Sequence, residues 1–127
     1  MPMLDDAIDF NLLIGAGGAI RSFKQGATIF KEGDQASELY VVQNGSVRIQ
    51  LGNRLLSTLY FNDIFGEMAL IEGGPRSASA IAATDVTLVT ISEKQFLFLV
   101  SQTPDFALQV MRAIARRLRT ANKSTFW

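Results

Sequence analysis

Between Ala19 and Ile91 the chain is cut into short apolar-polar alternations by turn residues, and that spacing points to an antiparallel β architecture. The clearest alternation is Ser46 to Leu51. Val47, Ile49 and Leu51 point one way, while Ser46, Arg48 and Gln50 point the other. A period of two marks a strand with one buried face. Leu39 to Gln43 reads as a further strand, with Asn44-Gly45 as the hairpin turn between the two. Gly52-Asn53 reads as a second hairpin into Leu55 to Tyr60, and Ser77 to Ala83 and Val86 to Ile91 complete the set. The expected fold is mainly β with flanking α: an antiparallel β-roll or jelly roll, one short helix within it, and helices at its C-terminal end.

The flanks read as helical. Leu4, Ala7, Ile8 and Leu12 share one face of a short helix from Leu4 to Ile14, and Gly15-Ala16-Gly17-Gly18 ends it. That glycine cluster begins like a dinucleotide fingerprint, but Ile20 stands where the third glycine belongs and no strand precedes it, so a loop is expected. Ser92 followed by Gln95 forms a capping box ahead of Phe96, Leu97, Leu99 and Val100. Thr103-Pro104 then restarts the helix, threonine as N-cap and proline at the first helical position. The last helix presents Ala107, Met111, Ile114 and Leu118 on one stripe with arginines beside it. The organisation expected is an N-terminal helix and loop (1–18), a β-roll (19–91) and C-terminal helices (92–127), one domain in all.

A chain of 127 residues suits one domain with a real core. It contains neither cysteine nor histidine. Thiolate or imidazole metal sites, disulfide frameworks and Ser-His-Asp or Cys-His catalysis are therefore excluded. The acidic start, Met1 to Asp6, is no secretory signal, and the run Leu12 to Ile20 is too short to span a bilayer. A cytoplasmic location is expected. The formal charge is zero but uneven: residues 1–106 hold twelve acids and seven bases, and the remainder holds only Arg112, Arg116, Arg117, Arg119 and Lys123. Such a split can mark a nucleic-acid or membrane contact. The helix macrodipole is the favoured account, because five cations on one short helix are a thin footprint for nucleic acid.

The segment Phe65 to Ala82, FGEMALIEGGPRSASAIA, carries the chemistry. Gly66 lets the backbone come close to a ligand. The N–H groups of the following turn, around Met68 and Ala69, favour an anion. Arg76 can fork two hydrogen bonds onto phosphate oxygens. Glu67, an acceptor when ionised, suits a ribose hydroxyl better than a phosphate. Small residues at Ala69, Ser77, Ala78 and Ala80 leave room for backbone approach, although Ala80 fits equally well as a small residue on a strand. Each element alone is ordinary: a glycine-glutamate pair is usually a capped helix start, and Pro75 with an arginine is usually a solvated turn.

Taken jointly, these residues resemble the phosphate-binding segment of the cyclic nucleotide-binding domain family. Gly26, Ile29, Glu32-Gly33-Asp34, Ala36, Leu39-Tyr40-Val41-Val42 and Gly45 resemble the glycine-punctuated hairpins of the same family, so that the likeness runs from Ile20 to Leu118. The family occurs in catabolite activator proteins, protein kinase A regulatory subunits and cyclic-nucleotide-gated channels. The resemblance implies a β-roll that holds the ligand and helices that move when it binds. It also implies that Glu67 takes the ribose 2′-hydroxyl and Arg76 the cyclic phosphate. Phe65, Gly66, Met68, Ala69, Pro75, Ser77 and Ala78 would complete the binding segment. Cyclic AMP is favoured over cyclic GMP as ligand, although Ser77 does not choose between them. No further cofactor or metal is implied. A lid over the base would come from the last helix, with Arg112, Arg116 and Arg119 as candidates beside Met111 and Ala115.

The implied activity is that of a receptor rather than an enzyme. The alternatives are an interaction domain of the same fold, with an empty pocket or another ligand, and a cupin-like enzyme, which would need the histidines this chain lacks. A hydrolase built only on carboxylates such as Asp63 and Glu67 has no support. Iron-sulfur and haem sensors need cysteine or histidine ligands. Transcription factors of the family carry a helix-turn-helix after the long helix, for which a chain ending at Trp127 leaves no room; a free-standing sensor or an excerpt of a larger protein is expected. The stripe on the last helix serves either as a homodimer or effector seam or as packing on the roll. Phe126-Trp127 is either an adhesive end or the scar of a truncation.

Overall fold

A computed structural model describes residues 8–121. Eight strands form two four-stranded antiparallel sheets: β1 (Ala19–Phe23), β2 (Thr28–Phe30), β3 (Glu38–Asn44), β4 (Val47–Leu51), β5 (Arg54–Leu59), β6 (Ile64–Phe65), β7 (Ser79–Ala82) and β8 (Val86–Ser92). One sheet runs β1-β8-β3-β6 and the other β2-β7-β4-β5. Every connection except β4–β5 therefore crosses from one sheet to the other. This is the expected roll, with α1 (Phe10–Gly15) before it, α2 (Glu67–Glu72) inserted after β6, and α3 (Glu93–Gln102) and α4 (Asp105–Ala121) behind it.

One turn differs from expectation. Asn44-Gly45 is no hairpin, because β3 pairs with β6 and β8 while β4 pairs with β5 and β7. Gly45 instead turns a corner between sheets with φ 87. The β7–β8 crossing runs alongside. Ser46 N–H donates to Thr84 Oγ1 at 3.1 Å, and Ala83 N–H donates to Ser46 O at 2.9 Å. A Cβ on Gly45 would stand 2.3 Å from the Asp85 carbonyl oxygen. Asn-Gly signals a positive φ, and a corner uses that conformation as readily as a hairpin does. Gly52-Asn53 is the hairpin expected, closing Leu51 onto Arg54.

β3 and β8 are central strands buried on both faces. Tyr40, Val42, Val86 and Leu88 look into the roll with Phe30, Val47, Ile49, Leu59 and Phe65. Leu39, Val41, Val89 and Ile91 look outward, against Leu13, Leu99, Phe106 and Val110 of the helices. That is why these strands read as nearly continuous apolar runs instead of alternations. Each such side chain contributes about 1.5–3 kcal/mol on burial, so the helices are bound to the roll by a second core.

The capping-box signal holds. Gln95 N–H donates to Ser92 Oγ at 3.2 Å, and Ser92 N–H donates to Gln95 Oε1 at 2.9 Å, completing the capping box. The chain breaks at Thr103-Pro104 as expected, but the restart comes later. Thr103 is the C-cap of α3 and α4 begins at Asp105, so Pro104 precedes the helix instead of opening it, and the Thr103 carbonyl accepts from Phe106 N–H at 2.9 Å. α1 begins at Phe10, capped by Asp9, so Ile8 and Asp9 precede the helix expected from Leu4; positions 4–7, Lys123 and Phe126-Trp127 lie outside the described residues. The expected stripe on α4 divides. Ala107 and Ile114 are half-buried, but Met111 and Leu118 stay 56% and 50% exposed. Phe106 and Val110 are the anchors, and they rotate the core-facing side by one residue, onto Ala113 and Ile114.

Candidate functional site

β6 ends at Gly66, which caps α2 in the left-handed conformation (φ 80, ψ 2). A Cβ there would be strained and would stand 2.7 Å from Arg76 Nη1. After α2, the turn through Gly73-Gly74-Pro75 returns the chain to Arg76, opposite the β2–β3 loop. Gly33 N–H donates to Arg76 O at 2.8 Å and Arg76 N–H donates to Asp34 O at 2.9 Å, so the arginine's backbone is clamped on both sides.

The Arg76 side chain turns inward and the residue is only 5% exposed. Nη1 donates to Gly66 O at 2.9 Å and Nη2 to Glu38 O at 2.7 Å. Its Cζ lies 4.1 Å from the Phe30 ring centroid and 5.5 Å from that of Tyr40, which itself stacks on Phe65 at 5.1 Å. Burial lowers the guanidinium from its ordinary value, with Tyr40 and Glu38 acting against that shift. Burial, and then the neighbouring Glu38 carboxylate, raise the Tyr40 hydroxyl. Tyr40 Oη and Arg21 Nη1 both donate to Glu38 Oε1 at 3.2 Å, which ties this corner to β1.

A cavity of about 40 Å³ opens beside Arg76. Gly66, Met68, Ala69, Pro75, Arg76, Ser77 and Ala78 stand in its wall together with Phe30 and Glu72. Phe65 does not; it is a core aromatic behind the site. Ala80 is likewise interior.

Glu67 sits apart from this cavity. The residue is 1% exposed, and its Oε2 accepts from Arg117 Nη1 of α4 at 2.7 Å. Arg117 Nη2 also donates to Ile64 O. Burial pushes the Glu67 carboxyl up from its ordinary range, and Arg117 offsets only part of that. Two buried side-chain polar atoms among the described residues lack a hydrogen-bond partner, Glu67 Oε1 and Arg76 Nε. One is an acceptor and the other a donor.

Of the expected lid residues, Arg112, Arg116 and Arg119 are exposed, as are Met111 and Ala115, and none enters the wall beside Arg76. A larger cavity of about 520 Å³ lies between β5 and α4. Leu56, Ser57, Leu59, Ala113, Arg116 and Arg117 are in its wall. Glu67 itself stands in the wall of a third, mostly apolar cavity of about 100 Å³ with Leu39, Leu70, Phe96 and Val110, while its neighbour Gly66 lines the first space and its partner Arg117 the second.

Comparison with known proteins decides what this segment is. A sequence model of the cyclic nucleotide-binding domain matches residues 20–103. The chain belongs to the cyclic nucleotide-binding domain family. This family is a ligand-binding, regulatory module and not a catalytic one. The domain is 39% identical over 107 residues to the cyclic AMP receptor protein of Thermus thermophilus, covering 80% of this chain and 50% of that protein. It is 33% identical over 109 residues to a CRP-like cAMP-activated global transcriptional regulator of Mycobacterium tuberculosis, covering 80% and 48%. The crystal structure of the Thermus thermophilus catabolite activator protein matches with a TM-score of 0.78 and 35% identity, over 89% of this chain and 55% of that one. The chain thus spans about half the length of these curated relatives. No helix among the described residues is long and apolar enough to cross a membrane.

Three residues that contact Glu67 or Arg76 in this domain, Arg117, Phe30 and Glu38, were not singled out by the sequence. Arg117 was one of five similar cations, yet it follows Phe106, Val110 and Ala113 at spacings of four, three and four, which puts it on the buried face. That periodicity was the available signal. Phe30 and Glu38 offered none, because they reach Arg76 only through the sheet.

Proposed function

We propose that the chain is a cyclic nucleotide receptor module, that cyclic AMP is preferred to cyclic GMP, and that binding is signalled through α4. The observation that carries this is the pair of orphaned buried atoms. A ligand with a hydroxyl and an anionic phosphate joined to one sugar would satisfy both: the hydroxyl donating to Glu67 Oε1, the phosphate accepting from Arg76 Nε. Buried polar groups are nearly always paired, so two complementary exceptions in one segment favour a ligand. Backbone N–H groups around Met68, Ala69, Ser77 and Ala78 would complete the phosphate's shell. The base would enter the space between β5 and α4 beside Leu56, Leu59 and Arg116. Two matched relatives have names that describe them as cAMP receptors or regulators, which supports the adenine preference, while others are named for cGMP.

Coupling to α4 follows from the Glu67–Arg117 pair. A ribose hydroxyl that engages the carboxylate alters the acceptor on which Arg117 rests, and Arg117 is carried by α4. The outward face of α4, with Leu108, Met111, Ala115 and Leu118 at spacings of three, four and three, is the surface through which a second copy would read that movement. A cytoplasmic setting is part of this reading.

Calorimetric titration of cyclic AMP and cyclic GMP tests it. Binding in the micromolar range or tighter is expected, and Arg76→Ala is expected to lose about 2–5 kcal/mol, roughly thirty- to several-thousand-fold, while circular dichroism remains unchanged. An identical titration curve for the variant would remove Arg76 from the site. No heat with either ligand would leave the interaction-domain alternative.

A further inference from the structure

The wall beside Arg76 contains two charged residues, and they oppose one another: Arg76 and Glu72. Further acids surround the arginine from behind. Glu38 offers its backbone carbonyl to Nη2, Asp34 of the β2–β3 loop accepts from Arg76 N–H through its own carbonyl, and both acids favour the charged guanidinium. Phe30 and Tyr40 cover its ring-facing side. A phosphate arriving here meets one buried cation with both terminal nitrogens already donating to carbonyls, and one carboxylate at the exposed end of α2.

We infer that Glu72 is a specificity-determining residue that disfavours doubly charged phosphomonoesters relative to singly charged cyclic phosphodiesters. The inference rests on the cyclic nucleotide reading and deepens it. With one positive and one negative charge in the wall, a second negative charge on the ligand gains little Coulomb attraction. Its desolvation penalty nevertheless grows as the square of the charge. A cyclic phosphodiester carries one charge at all ordinary pH values. A phosphomonoester carries nearly two above its second pKa of about 6. Glu72 is exposed, so the effect is moderate and screened by salt.

Charge repulsion scales with ligand charge, which makes the expectation quantitative. If neutralising Glu72 improves a monoanion by some factor, it improves a dianion by about the square of that factor. For Glu72→Gln this means about threefold for cyclic AMP and about tenfold for adenosine 5′-monophosphate at low salt. Glu72→Lys should extend both gains in the same order.

The test titrates both ligands against the full chain, wild type and both variants, at pH 7.5 and pH 5.0. Cyclic AMP serves as the control for protein groups that titrate nearby, notably Glu67, Glu38, Asp34 and Glu72 itself. In the wild type the monoester should gain on cyclic AMP as the pH falls and its second proton is taken up; in Glu72→Gln that gain should shrink. Glu72 variants that shift both ligands by one common factor, or neither, while wild-type cyclic AMP binding is intact, overturn the inference and leave the receptor reading standing. Failure of the wild type to bind either cyclic nucleotide overturns both.

Discussion

Replacing Arg117 with methionine removes a charge from the most buried ion pair among the described residues while keeping much of the stem's apolar packing. Glu67 would then lose its contacting cation and keep only the weaker, more distant effect of Arg76. A carboxylate stranded in that way typically costs about 3–5 kcal/mol. It can instead take up a proton. From the ordinary value of 4.5 to pH 7 that uptake costs at most about 3.4 kcal/mol, at 1.36 kcal/mol per pH unit. Protonation therefore caps the loss. The wild type already bears part of it, since its Glu67 is raised by burial. The Ile64 carbonyl also loses a donor, worth about 1 kcal/mol. The expected destabilisation at pH 7 is about 2–4 kcal/mol, a large share of a typical domain's stability.

The pH dependence gives this prediction its edge. A carboxyl whose folded pKa lies above its unfolded one contributes fully below the unfolded value. That contribution is lost as the pH rises through the folded value. For Glu67 the window opens at 4.5 and extends upward, and it extends further in Arg117→Met than in the wild type. The gap between the two proteins should accordingly shrink to about 1 kcal/mol near pH 4.5, where the Ile64 carbonyl and local packing still distinguish them. Urea unfolding followed by circular dichroism at pH 4.5 and 7.5 measures it. Adding Glu67→Gln to the variant should restore most of the loss at pH 7.5. A gap of equal size at both pH values, or a double variant no more stable than the single one, would refute the burial-driven account.

Gly45→Ala places a methyl group 2.3 Å from the Asp85 carbonyl oxygen and forces a left-handed alanine, so both sheet crossings must shift. A loss of about 2–4 kcal/mol in chemical denaturation is expected, and a loss below about 1 kcal/mol would mean that the corner is looser than described. Met111→Glu, at a position 56% exposed, should leave the monomer's unfolding curve within about 0.5 kcal/mol. If α4 is a seam between copies, the same change should lower the mass seen by light scattering in the presence of cyclic AMP; an unchanged dimer would move the seam elsewhere.

Much of the outcome was present in local pattern. Val47, Ile49 and Leu51 alternate because one face of β4 is buried, and a period of two is visible wherever that holds. The capping box at Ser92 and Gln95 depends only on residues three apart, so it could be read directly. The candidate binding segment stood out for a similar reason: Gly66, Glu67 and Arg76 lie within eleven consecutive residues, and their chemistry is separable from the rest of the chain.

Other features exist only between distant segments. Asn44-Gly45 encodes a positive φ but not which strand comes next to which, because pairing partners are chosen by the packing of two sheets. Arg117 stands fifty residues from Glu67, and only the docking of α4 through Phe106 and Val110 makes them a pair. The inward turn of Arg76 onto Phe30 and the carbonyls of Gly66 and Glu38 likewise needs three separate strands or loops in place. Residue order alone determined the class of fold and which chemical groups the segment after β6 carries. The assembled core decided which of five C-terminal cations reaches Glu67 and how far Arg76 is withdrawn from water, since burial and orientation are properties of packed neighbours and not of the chain they belong to.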